Sequence, residues 1–113
     1  MKTSFPVLCA LFGLSMLAAA GPAQALPPWC ANVHENSPDA EWAVCDNADL
    51  GNLDDVMNTA YKRARYDSSH LRREIRNTQK AWLRRRNRCG DQVGCLRSVY
   101  QQRIYELESY FAN

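Results

Sequence analysis

Glycine is scarce in this chain, five among 113 residues, and with it goes the raw material of a phosphate-cradling loop. No Gly-x-Ser-x-Gly, no Ser-x-x-Lys and no glycine-rich nucleotide loop occurs. Histidine is scarcer still. His34 falls in a loop and His70 near a helix start, and neither has a third metal ligand beside it in the sequence. No Cys-x-x-Cys pair is present, which removes the signature of a thiol redox enzyme. Beyond residue 25 no stretch approaches the roughly 20 apolar residues that a membrane-spanning helix needs. Most unusual is the absence of every Lys and Arg between Leu26 and Tyr61, a segment that carries seven acids.

What is there begins with an export signal. Lys2 supplies a positive start, Phe5 to Ala20 is apolar, and Ala23-Gln24-Ala25 has the small-x-small form of a cleavage site. Residues 1–25 are therefore expected to be a signal peptide and 26–113 the mature domain. A lipid anchor would need a cysteine directly after the small residues, but Cys9 lies inside the signal and Cys30 follows Pro27-Pro28-Trp29. The expected location is periplasmic or secreted, without an anchor.

Removing 25 residues leaves 88, one small domain. A chain of that size buries only about 60–65% of its unfolded surface, so covalent staples matter. Cys30, Cys45, Cys89 and Cys95 provide them, as expected in an oxidising compartment. Four cysteines permit three pairings, and the sequence does not choose among them. Local pairing is the economical one: Cys30 to Cys45 and Cys89 to Cys95 would contribute on the order of 3 and 2 kcal/mol by loop closure. Zinc sites want cysteines two to four residues apart, whereas the gaps here are 14 and five intervening residues. No metal and no cofactor is expected.

The hydrophobic pattern is helical throughout. Ser37 and Pro38, with Glu41 close behind, resemble a helix start, Ser37 as cap and Pro38 at the first helical position, leading to a short helix through Cys45. Asp46-Asn47 or Asp49 would cap a second, whose Leu50, Leu53, Val56, Met57, Ala60, Tyr61 and Ala64 recur at three and four residues as far as Tyr66. Asp67-Ser68-Ser69 offers a cap for a third, with Leu71, Ile75, Thr78, Trp82 and Leu83 running to about Arg88. Gly90 suits the left-handed residue that ends helices. The last helix carries Val93, Leu96, Val99, Tyr100, Ile104, Leu107 and Phe111. With no strand pattern, the fold expected is all-α: three main helices plus a short N-terminal one in a small antiparallel bundle stapled by disulfides.

Charge divides the chain. Seven acids and no base up to Tyr61 are followed by 13 bases and five acids, a net −7 and then +8. One reading has the two segments packing against each other with solvated outer faces; the other has a charged end steering a charged protein partner. Nucleic acid is not an expected partner of an exported protein.

Catalysis finds little support. Asp54 and Asp55 are neighbours and Glu106 and Glu108 diverge by about 200° on a helix, so neither pair aims at one point. Arg84, Arg85 and Arg86 fan around the helix, only Arg86 returning to the side of Trp82, itself a core residue by its place in the stripe. Trp29 and Trp42 flank Cys30 and Cys45, and either cover the disulfide or form an exposed anchor.

Three blocks carry a family resemblance: Ala43-Val44-Cys45 through Leu50 to Leu53-Asp54 with Tyr61; then Gln79, Trp82-Leu83, Arg86 and Cys89; then Cys95-Leu96, Tyr100, Arg103-Ile104 and Leu107. Together they resemble the LprI-like lysozyme-inhibitor domain of exported bacterial proteins, with one departure at Ala48, where the family often has proline. The resemblance implies a helical, disulfide-bonded envelope domain whose named member inhibits lysozyme. Asp54, Arg86 and Arg103 fall among the matching polar positions, and an interhelical Asp54–Arg103 pair joined by Arg86 is expected. The functional expectation is a non-enzymatic binding module directed at a lysozyme or other peptidoglycan hydrolase. Its candidate contacts are Trp29, Glu35, Asp39, Glu41, Trp42, Asp46 and Asp49. Alternatives are an immunity protein against a cell-wall-degrading toxin, or a structural or stress-related envelope protein.

Overall fold

The computed structural model describes residues 26–112, so the expected signal peptide lies outside the described residues. Within them the chain is a small helical bundle held by two disulfides, Cys30–Cys45 and Cys89–Cys95, the local pairing. A 3-10 turn over Pro28–Asn32 precedes α1 (Asp39–Asp46), α2 (Ala48–Asp67), α3 (Arg72–Asn87) and α4 (Val93–Glu108).

The helix starts differ from expectation in two places. Pro38 occupies the cap of α1, and Ser37 Oγ is instead taken by the His34 N–H at 3.0 Å, closing the turn ahead of the helix. At α3 a 3-10 turn over Ser69–Leu71 intervenes, and Ser68 Oγ donates to the Tyr110 carbonyl at 2.9 Å, so no side chain caps that helix. A hydroxyl that finds a tertiary acceptor is lost to local capping. Asn47 does cap α2, its Oδ1 accepting from the Leu50 N–H at 3.1 Å. Gly90 takes φ +57° in the turn after α3, a conformation that glycine enters without steric cost.

Side-chain contacts set the topology. Ser68 at the end of α2 meets Tyr110 just past α4, and Asp54 early in α2 meets Tyr100 early in α4, so these two helices run parallel. α2 and α4 pack directly on each other and α3 runs against both in the opposite sense, giving an up-down-up bundle with α1 lying across the start of α2 and the end of α3. The core is Val44, Leu50, Met57, Ile75, Trp82, Leu96, Tyr100 and Leu107 with Ala40, Ala60 and Ala64. α4 ends at Glu108, and Phe111 lies in the turn beyond it with the Arg63 guanidinium 4.3 Å over its ring.

Candidate functional site

Each long helix spends at least one core position on a polar side chain. In α3 the buried stripe reads Ile75, Gln79, Trp82, Arg86; in α4 it reads Leu96, Tyr100, Arg103, Leu107; in α2 Asp54 stands between Leu50 and Met57. Buried polar groups are tolerated only when they are paired, and these form two separate networks.

The first surrounds Asp54, which is 1% exposed. Its carboxylate accepts from Trp29 Nε1 at 2.9 Å, Asn58 Nδ2 at 3.0 Å and the Tyr100 hydroxyl at 2.9 Å. Tyr100 in turn accepts from Arg86 at 3.4 Å. Arg86 also donates twice to Asn87 Oδ1, at 3.1 and 2.9 Å, and approaches Glu41 at 3.9 Å. Its guanidinium lies 5.6 Å from the Trp29 ring and 5.9 Å from that of Trp82, where the negative ring faces offset part of its desolvation. Burial pushes the Tyr100 hydroxyl well above the ordinary tyrosine range; the Asp54 carboxylate adds to the shift and Arg86 opposes it. Tyr100 therefore stays neutral, a hydroxyl that links an anion to a cation.

The second network lies one turn further along α4. Arg103 donates to Gln79 Oε1 at 2.9 Å, Thr78 Oγ1 at 3.2 Å and Glu106 at 3.1 Å, while Glu106 also meets Arg85 at 3.5 Å. Gln79 completes its bonding against the Met57 sulfur at 3.2 Å. The expected Asp54–Arg103 pair does not form. Because α2 and α4 run parallel, Asp54 is level with Tyr100, and Arg103, about 4.5 Å further up the helix axis, is level with Gln79. Arg86 does join Asp54, through the Tyr100 hydroxyl. Sequence reading missed Gln79, Asn58 and Asn87 as members; for Gln79 the available signal was its place on the apolar stripe of α3.

Tyr100 is wholly enclosed and Arg103 is 3% exposed, and within the structure both networks tie the helices to one another.

The exposed residues point elsewhere. Asp39, Trp42 and Asp46 recur at three and four residues and so share one face of α1. Trp42 is 41% exposed, and its Nε1 donates to the His34 carbonyl at 3.1 Å, fastening the turn that carries exposed Glu35 against this face. Asp49 is exposed in the first turn of α2. Glu41 is turned toward Arg86, and Trp29 is half-buried with its N–H on Asp54, so both are engaged inside the molecule. The Cys30–Cys45 bond pins the 3-10 turn bearing Trp29 to α1. What reaches solvent at this end is an acidic surface with one tryptophan at its centre.

Compared with known proteins, residues 30–107 match the sequence model of a family described as "Lysozyme inhibitor LprI". No curated protein and no solved structure matches the chain.

Proposed function

This chain belongs to the LprI lysozyme-inhibitor family, a family of inhibitor domains and not of enzymes, and from that premise we propose that it is exported and binds a lysozyme or related peptidoglycan hydrolase through the α1 surface. The observation that carries the reading is Trp42, exposed among Asp39, Asp46, Glu35 and Asp49 in a segment without a single Lys or Arg. A partly exposed tryptophan ringed by like charges is a poor use of surface in a monomer and a good one at an interface: the ring supplies the desolvated anchor and the carboxylates steer a cationic partner. Such a partner is a lysozyme with a basic rim around its cleft. Inhibition follows from occlusion, with no chemistry required of the inhibitor.

The test is a lysis assay. The protein at amounts equal to the lysozyme should slow clearing of a cell-wall suspension, with weaker inhibition as salt rises. Trp42→Ala combined with Asp39→Asn and Asp46→Asn should weaken inhibition at least tenfold, by roughly 2 kcal/mol at the anchor alone, while leaving the melting temperature near that of the parent. Full inhibition by that variant would move the binding surface elsewhere. No inhibition by the parent would remove the lysozyme reading.

A further inference from the structure

The acidic and basic segments do not neutralise each other. Among the described residues the one ion pair between them is Glu41 with Arg86; the other three, made by Arg63, Arg85 and Arg103, lie within the basic segment. The solvent side of α3 is untouched by any of them. Arg72, Arg76, Lys80, Arg84 and Arg88 follow one another at intervals of four residues, and all are exposed. With about 100° of turn per residue, Arg73, Arg76, Lys80 and Arg84 fall within an arc of about 80° that faces away from Ile75, Gln79, Trp82 and Arg86. Arg72 and Arg88 stand at its edges. The ridge is about 24 Å long.

Like charges four residues apart weaken a helix, and among the described residues no ion pair compensates them. The positive surface also continues sideways: Arg72 shares an open groove with Lys62, Arg65 and Tyr66 at the end of α2, and Tyr66 is 82% exposed. The result is broad, spread over two helices. A single strand of polyanion is better held by a continuous positive groove with several aromatic rings for stacking; here the groove is short, with one exposed tyrosine, and the cations spread beyond it along α3, an arrangement that fits a flat anionic plane, where aromatic side chains settle at headgroup level.

We infer that the solvent face of α3, with the adjoining end of α2, docks this protein on an anionic phospholipid surface. Contact is electrostatic and reversible, since the ridge presents no apolar face to insert. Its densest part, around Lys62, Arg65, Arg72 and Arg76, is at the opposite end of α2 from Asp49.

The inference stands apart from lysozyme inhibition and is tested without it. The full chain is sedimented with vesicles of equal parts phosphatidylglycerol and phosphatidylcholine, and with vesicles of phosphatidylcholine alone. The parent should partition onto the anionic vesicles at low salt and be released as salt screens the surface. The Arg76→Gln, Lys80→Gln, Arg84→Gln variant, altered only at exposed positions, should keep its melting temperature and inhibitory strength but partition on the order of 100-fold more weakly. Parent and variant carry the same apolar N-terminal run, so its contribution cancels in the comparison. Equal partitioning of the two, or no preference for anionic vesicles, overturns the inference. Binding to a soluble polyphosphate chain without binding to vesicles also overturns it, assigning the ridge to a linear polyanion.

Discussion

Asp54 shows how much one residue can organise. Its carboxylate serves three donors from three parts of the chain: Trp29 in the N-terminal turn, Asn58 on its own helix and Tyr100 on α4. Asp54→Ala strands two of them, Trp29 Nε1 and the Tyr100 hydroxyl, in the interior, at about 1–3 kcal/mol each. For a domain with about 5–10 kcal/mol in total, the variant should melt far below the parent or fail to fold, as circular dichroism will show; a parental melting temperature would mean that water replaces the carboxylate. Tyr100 makes a prediction in pH. Its hydroxyl is held protonated in the folded state above the ordinary value of about 10. Folding therefore retains a proton that the unfolded chain gives up. The associated stability is fully present below about pH 10 and falls as pH rises above it. In an alkaline absorbance titration the phenolate signal of one tyrosine should appear late, and Tyr100→Phe should abolish that late component.

Among the elements, the short N-terminal turn depends most on covalent help. Residues Pro28–Asn32 carry Trp29 into the Asp54 network, yet a five-residue 3-10 turn has little stability of its own. The Cys30–Cys45 bond holds it to α1, closing a separation of 15 residues against six for Cys89–Cys95. Loop entropy alone makes the first worth about 3 kcal/mol and the second about 2. Cys30→Ser with Cys45→Ser should lower the melting temperature more than Cys89→Ser with Cys95→Ser, and it should also expose Trp29, which shifts tryptophan emission to the red. An equal effect of the two would mean that Trp29 stays seated without the bond. The helices themselves were legible because their apolar residues return every three or four positions; their starts were less so. Ser37 and Ser68 look like caps in one dimension, but His34 and Tyr110 claim their hydroxyls in three.

Over the whole molecule, charge is segregated between an acidic surface around Trp42 and a basic face on α3. Electrostatic steering acts on encounter more than on dissociation. Asp39→Asn with Asp46→Asn should thus slow association with a basic lysozyme several-fold and flatten its salt dependence, with a smaller change in the dissociation rate, as stopped-flow or surface binding would measure. A change confined to dissociation would place these carboxylates in direct contact instead. The candidate contacts proposed from sequence divide accordingly. Trp42, Asp39, Asp46, Asp49 and Glu35 are available to a partner, whereas Trp29 and Glu41 are occupied by Asp54 and Arg86.

Helical class, element order and the division of charge all follow from spacing and composition, which are properties of the chain taken in one dimension; the pairing of the cysteines was decided only by the structure, in favour of the most economical of three. That Asp54, Arg86 and Arg103 would form a partly buried polar group was expected from the family resemblance; Gln79 was missed, and the partners these residues take were not foreseen. Whether Asp54 meets Arg103 or Tyr100 depends on the axial level at which two parallel helices settle, and that level is set by the packing of Leu50, Met57, Leu96 and Leu107 in a shared core, an interaction between distant segments that no local pattern encodes.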